Sequence, residues 1–190
     1  MMRKKYELTS DVRVVDDITL YRIRALRDFG PVRVGDHGGF VESNMNLHHE
    51  GNCWVSGNSQ VFGNARVSEN ARVSGNAFVF DLAQIYGNAQ VDGNAWVGGD
   101  SEVSGNAKVS GNALLLMHAQ VSGNVRVSGR AEILDRAKVH GDAWILGTAS
   151  VRGKSKLDAG IWDRVIAINN KYYLVSTTLK KCPWEEIEQC

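Results

Sequence analysis

Between Val55 and Val151 an aliphatic residue stands at every sixth position without a miss, from Val55, Val61 and Val67 through Leu115 to Ile145 and Val151. Two residues before each of these seventeen positions the residue is Ala in thirteen cases, and two residues after it is Gly in thirteen. The unit therefore reads Ala-x-Val-x-Gly-Asn. A period of six fits neither the 3.6-residue repeat of a helix face nor the two-residue alternation of a plain strand; a short strand followed by a corner satisfies it, so the pattern predicts a β-solenoid. Ala and Val lie two apart and point the same way, inward, while the residues between and after them face out. Gly-Asn belongs at the bend, where a left-handed backbone suits Gly and is tolerated by Asn. Three hexads make one 18-residue triangular coil, and seventeen hexads predict between five and six coils.

Both flanks break the period. Ile18–Leu26 alternates like a strand, Gly30-Pro31 marks a turn, and Val32–Val34 reads as a short return strand. Val41 and Leu47 form an imperfect first hexad pair, with His48-His49-Glu50 bulging before Val55. After Gly153 the period stops; residues 164–175 read as a hairpin turning at Asn169-Asn170, and Pro183 with Glu185 and Glu186 as a final helical turn. Open solenoid ends need capping. The reading divides the chain into an N-terminal β cap (1–40), a repeat region (41–153) and a C-terminal hairpin and short helix cap (154–190).

Sorting outward residues by side, every eighteenth together, exposes an asymmetry. One side carries Phe62, Phe78, Phe80, Trp96, Leu114, Leu116 and Leu134, whereas the other two carry mainly polar residues. Seven such groups at roughly 100 Å² each expose about 700 Å², more than a soluble monomer usually shows. These seven residues are the expected interface. A second copy, giving a dimer or trimer, is favoured over cover by the C-terminal hairpin or by a foreign protein. The corner after this side is irregular too: Asp81-Leu82, Met117-His118 and Asp135-Arg136 interrupt Gly-Asn.

The run Val-Ser-Gly-Asn-Ala-x resembles the hexapeptide-repeat family, whose members form left-handed parallel β-helices; the handedness is implied by that resemblance alone. Arg24-Ala-Leu-Arg-Asp-Phe-Gly, with Gly38-Gly-Phe-Val and Gly51-Asn-Cys-Trp-Val, is similar to bacterial and prophage members labelled acyltransferases. The resemblance implies an all-β fold and, as one alternative, an O- or N-acyltransferase using acetyl-CoA or another acyl-CoA. On that alternative His118 is the general base and Asp100, one coil below it, orients the imidazole.

Three features lower that alternative. The hexads carry no inserted loop to close over a substrate, His118 stands in a polar corner, and paired titratable groups are commoner in structural networks than in active sites. The three zinc-binding His of the related γ-type carbonic anhydrases have no counterpart, since His48 and His49 are adjacent and His118 and His140 fall on different sides; no metal is expected. Lys plus Arg total 22 against 21 for Asp plus Glu, so no net field draws the chain to nucleic acid or an anionic membrane, and the column Arg72, Lys108, Arg126 reads as a solvated face. Three cysteines without metal spacing and the absence of an apolar leader predict a reduced, cytoplasmic setting, in a bacterial cell or a phage-infected host. The expected function is therefore non-enzymatic: an oligomeric structural or interaction protein, an accessory of a phage or prophage, with no cofactor.

Overall fold

The computed structural model describes residues 4–174; the helical turn expected at Pro183 lies outside them. Every described element is a strand or a turn. Two-residue strands such as Trp96–Val97 recur along three sheets of eleven, seven and six strands, wound as about seven parallel coils of 18 residues. Register is constant: Val97 pairs with Val79 below and Leu115 above. Each six-residue side thus sends its aliphatic residue and its Ala inward, and both columns are fully buried along the prism.

The corners explain the Gly-Asn pair. The Gly residues hold φ near +59° to +80°, and the Asn residues stack: Asn76 Nδ2 donates to Asn94 Oδ1, and Asn94 Nδ2 to Asn112 Oδ1, each at 3.1 Å. Where Gly is replaced by an acid, the left-handed turn persists and the side chain caps the next coil. Asp135 Oδ2 accepts from the Gly153 amide at 2.8 Å, and Glu69 Oε2 from the Gly87 amide at 3.0 Å.

At the N-terminal end β1 (Tyr6–Val15) and β2 (Ile18–Ala25) form a long antiparallel hairpin turning at Asp16-Asp17, both at positive φ. The return strand is not Val32–Val34. Val32 only bridges Phe29 across the Gly30-Pro31 turn, and the strand that pairs with β2 is β3 (His37–Val41), which also pairs in parallel with Gln60–Val61. Phe29, Tyr6 and Trp54 plug the open end, with Trp54 meeting the Phe29 ring edge-on at 5.3 Å.

More coils form than the seventeen hexads predict, because parallel pairing continues at both ends. Leu47 bridges Val67; Leu157 pairs with Val139, Trp162 with Ile145 and Ala167 with Val151. The expected hairpin is present as Val165–Ile168 and Lys171–Leu174, with Asn169 and Asn170 left-handed at the turn. It extends the eleven-stranded sheet edge to edge, so within the described residues it continues that sheet and does not fold back over its outer face.

Candidate functional site

The seven apolar residues share the outer face of the eleven-stranded sheet. One column on it reads Phe40, Gln60, Phe78, Trp96, Leu114, Glu132, Ser150. Two positions on, the neighbouring column reads Glu42, Phe62, Phe80, Gly98, Leu116, Leu134, Arg152, each of the first six donating its amide to the coil above. Trp96 is 48% exposed; the Phe and Leu side chains are half-buried against one another. Phe62 stacks on Phe80 at 5.8 Å, Phe78 tilts against Trp96 at 5.1 Å, and Phe80 meets Trp96 edge-on at 6.1 Å.

Polar groups close both ends of this face. At the N-terminal end Arg13 and Arg22 lie over the Phe40 ring at 4.3 and 4.4 Å, and Arg22 pairs with Asp11 at 2.6 Å. Phe40 and Leu20 are buried there, outside the interior core. At the other end Arg152 pairs with Glu132 at 2.6 Å. Gln60 sits between, 5% exposed, its side-chain oxygen without a partner among the described residues.

The irregular corner borders this face. His118 Nδ1 lies 3.1 Å from Asp100 Oδ2, so the structure does bring together the two residues the acyltransferase alternative needs. Both side chains are about half exposed, at 55% and 46%. They line one end of an open trough with Gly63, Asp81, Leu82 and Met117, and no lid stands over it among the described residues. A neutral imidazole held by a carboxylate could accept a proton there, but an open trough does not exclude water or fix an acyl group.

A third cluster escaped the sequence reading. Lys5 is fully buried; its amine donates to the Cys53 carbonyl at 2.9 Å and lies 3.1 Å from Cys53 Sγ. Burial lowers the Lys5 pKa, with Cys53 opposing, and burial raises that of the Cys53 thiol, which Lys5 offsets. Next to it the His49 ring stacks on Tyr6 at 4.4 Å and its Nδ1 accepts from the Lys5 amide at 3.2 Å. Burial, then Lys5, Lys4, His48 and Arg27, lower the His49 pKa. Lysine is almost never fully buried, so no signal in the sequence marked Lys5 as buried. Among the described residues no three His, Cys, Asp or Glu side chains converge to hold a metal. Arg72, Lys108 and Arg126 do align, but Gln90 interrupts them and Arg126 lies over the Trp144 ring at 4.9 Å.

Compared with known proteins, the chain matches the family model of the YdcK beta solenoid repeat over residues 59–75, 83–99 and 119–131. No curated protein matches it significantly. The matched segments carry the regular hexads. Phe78, Phe80, Leu114, Leu116, Leu134, Asp100 and His118 fall between or after them.

Proposed function

We propose that this β-solenoid repeat protein is a non-enzymatic structural or interaction protein whose rigid prism presents the outer face of the eleven-stranded sheet for contact with another protein chain. The carrying observation is the placement of its large apolar side chains. Phe62, Phe78, Phe80, Trp96, Leu114, Leu116 and Leu134 form one contiguous field on a scaffold whose other two outer faces are mainly polar, with Tyr86, Trp144 and Leu146 scattered on them, and Trp96 stands half exposed at its centre. An indole surrounded by apolar neighbours and framed by charged residues has the anatomy of an interface centre with its polar rim. Sedimentation velocity on the parent and on Trp96→Glu/Leu116→Glu tests this: the parent sediments as an assembly and the variant as a monomer of unchanged secondary structure. Equal sedimentation of the two sinks the reading.

A second reading rests on the 3.1 Å contact between Asp100 and His118. It makes the protein an acyl-CoA-dependent O- or N-acyltransferase, with His118 deprotonating the acceptor and Asp100 holding the ring. The openness of the trough counts against it, because acyl transfer needs an acceptor held within about 3 Å of the base in a partly enclosed site.

A further inference from the structure

The order of residues along the apolar face specifies its partner. We infer that the face pairs with the same face of a second copy of this chain, antiparallel, about a two-fold axis lying along the strand Trp96–Val97. This rests on the reading of that face as a contact surface and goes beyond it by fixing occupant, direction and register.

The argument is self-complementarity under one symmetry operation. A two-fold axis along the strands keeps each column opposite itself and reverses the order of the coils. The second column begins at Glu42 and ends at Arg152, three coils either side of Gly98. With the axis at Gly98, Glu42 meets Arg152 of the second copy, and the reverse contact occurs once more at the far end. Moving inward, Phe62 meets Leu134 and Phe80 meets Leu116, so the aromatic half of each copy lies on the aliphatic half of the other. In the first column the same operation sets Trp96 on its own counterpart and Phe78 on Leu114.

The alternatives are worse on the same grounds. A parallel face-to-face pairing keeps like rows together, so the Phe62–Phe80 half lies on itself, Arg152 comes level with Arg152 and Glu42 with Glu42, and the Glu42–Arg152 contacts are lost. A foreign partner leaves the matched order of charges and side-chain sizes unexplained.

The extent of the face suits a modest dimer. Six coil spacings of ~4.8 Å separate Glu42 from Arg152, about 29 Å, and a six-residue side is at most about 20 Å wide. That gives roughly 600 Å² per copy and about 1,200 Å² in total, the lower bound for a specific interface. Buried area alone does not set an affinity, so sedimentation is followed over a wide range of protein concentration.

Charge reversal on the full-length chain separates this pairing from any other. Glu42→Arg places two arginines together at each end of the pairing, and Arg152→Glu places two glutamates together; each is expected to weaken association at least tenfold. Mixing the two variants in equal amounts restores opposite charges at both ends, so the mixture regains the parent's dimer, as does the double variant Glu42→Arg/Arg152→Glu alone. Circular dichroism confirms that each is folded. Single variants that assemble like the parent, or a mixture and a double variant that both stay monomeric, overturn the antiparallel pairing. If those results occur while Trp96→Glu/Leu116→Glu still dissociates the parent, the contact surface stands and only its direction and register fall. A parent that is monomeric at the highest soluble concentration removes both.

Discussion

The Phe80 ring occupies the space above Gly98: a Cβ built on Gly98 would stand 2.3 Å from Phe80 Cζ and 2.4 Å from Cε2. Gly98 is thus the floor on which the aromatic cluster of Phe62, Phe78 and Trp96 closes, and its missing side chain lets Phe80 meet Trp96. Gly98→Ala forces the ring outward and is expected to cost about 1–3 kcal/mol, the usual range for overpacking. Thermal denaturation of Gly98→Ala, Phe80→Ala and the double variant checks it. The two changes should be strongly non-additive, because Phe80→Ala already vacates the space the new methyl needs. Additive losses would mean that the ring does not rest on Gly98.

Beneath that face the core tolerates no charge. Val97 is fully buried among Val79, Leu115 and the Ala column. Val97→Asp puts a carboxylate where no donor reaches it, and a loss above about 4 kcal/mol is expected, enough to prevent folding. Recovery of soluble protein with the parent's melting temperature would show that the hexad register is misassigned.

The repeat made most of this fold readable, and the reasons for the failures are physical. An inward Val at every sixth residue leaves one solution, so the corners and the seven apolar outer positions follow from position alone. The end coils were harder. Leu157 keeps the spacing of six from Val151, but Lys154-Ser155 stands where Asn-Ala follows the corner Gly elsewhere, and only the buried Ser155, donating to the Arg152 carbonyl at 2.7 Å, shows that the small inward slot persists. β1 was missed because Ser10-Asp11 breaks its alternation, at the irregularity between Leu8 and Val12. The rim of the candidate face was missed for a different reason: Arg13 and Arg22 reach Phe40 only through a hairpin pairing that a period of six says nothing about.

Met117 marks an uncompensated strain. It holds φ = 68° at a corner where Asp81 and Asp135, also left-handed, each accept a hydrogen bond from the coil above; Met117 has no such acceptor. A left-handed non-glycine residue costs about 1–2 kcal/mol. Met117→Gly relieves that strain against a smaller added chain-entropy cost of about 0.5–1 kcal/mol, for a net gain of up to about 1 kcal/mol and a melting temperature raised by ~2–4 °C. Its neighbour gives the opposite sign: a Cβ on Gly99 would stand 2.7 Å from the Met117 carbonyl oxygen, so Gly99→Ala lowers the melting temperature. A destabilised Met117→Gly would assign the side chain a packing role that outweighs its backbone.

His49 gives the N-terminal end an acid-sensitive element. Its Nδ1 accepts the Lys5 amide, so protonation there breaks that bond, and burial foremost, then Lys5, Lys4, His48 and Arg27, oppose a positive ring. Its pKa is thus lowered on folding, and the unfolded chain, titrating near 6.5, binds the proton first. Below that pH the unfolded state gains protons that the folded state does not, and stability falls as the pH drops further toward the folded pKa. The melting temperature should decline between about pH 7 and pH 5, and His49→Gln should show a shallower decline. Identical slopes would remove His49 as the cause.

The last prediction decides between the two functional readings. Asp100 and His118 touch at 3.1 Å, yet each is about half exposed and the trough around them is open. An acyltransferase has to hold a nucleotide-bearing thioester and an acceptor together, and this corner provides one base with no enclosing wall among the described residues. Calorimetric titration with acetyl-CoA is therefore expected to show no binding, and His118→Ala to leave both assembly and melting temperature nearly unchanged, since exposed ion pairs contribute little. Micromolar acetyl-CoA binding that His118→Ala abolishes would reverse the choice and make the irregular corner, with its acid and histidine one coil apart, the working part of the molecule.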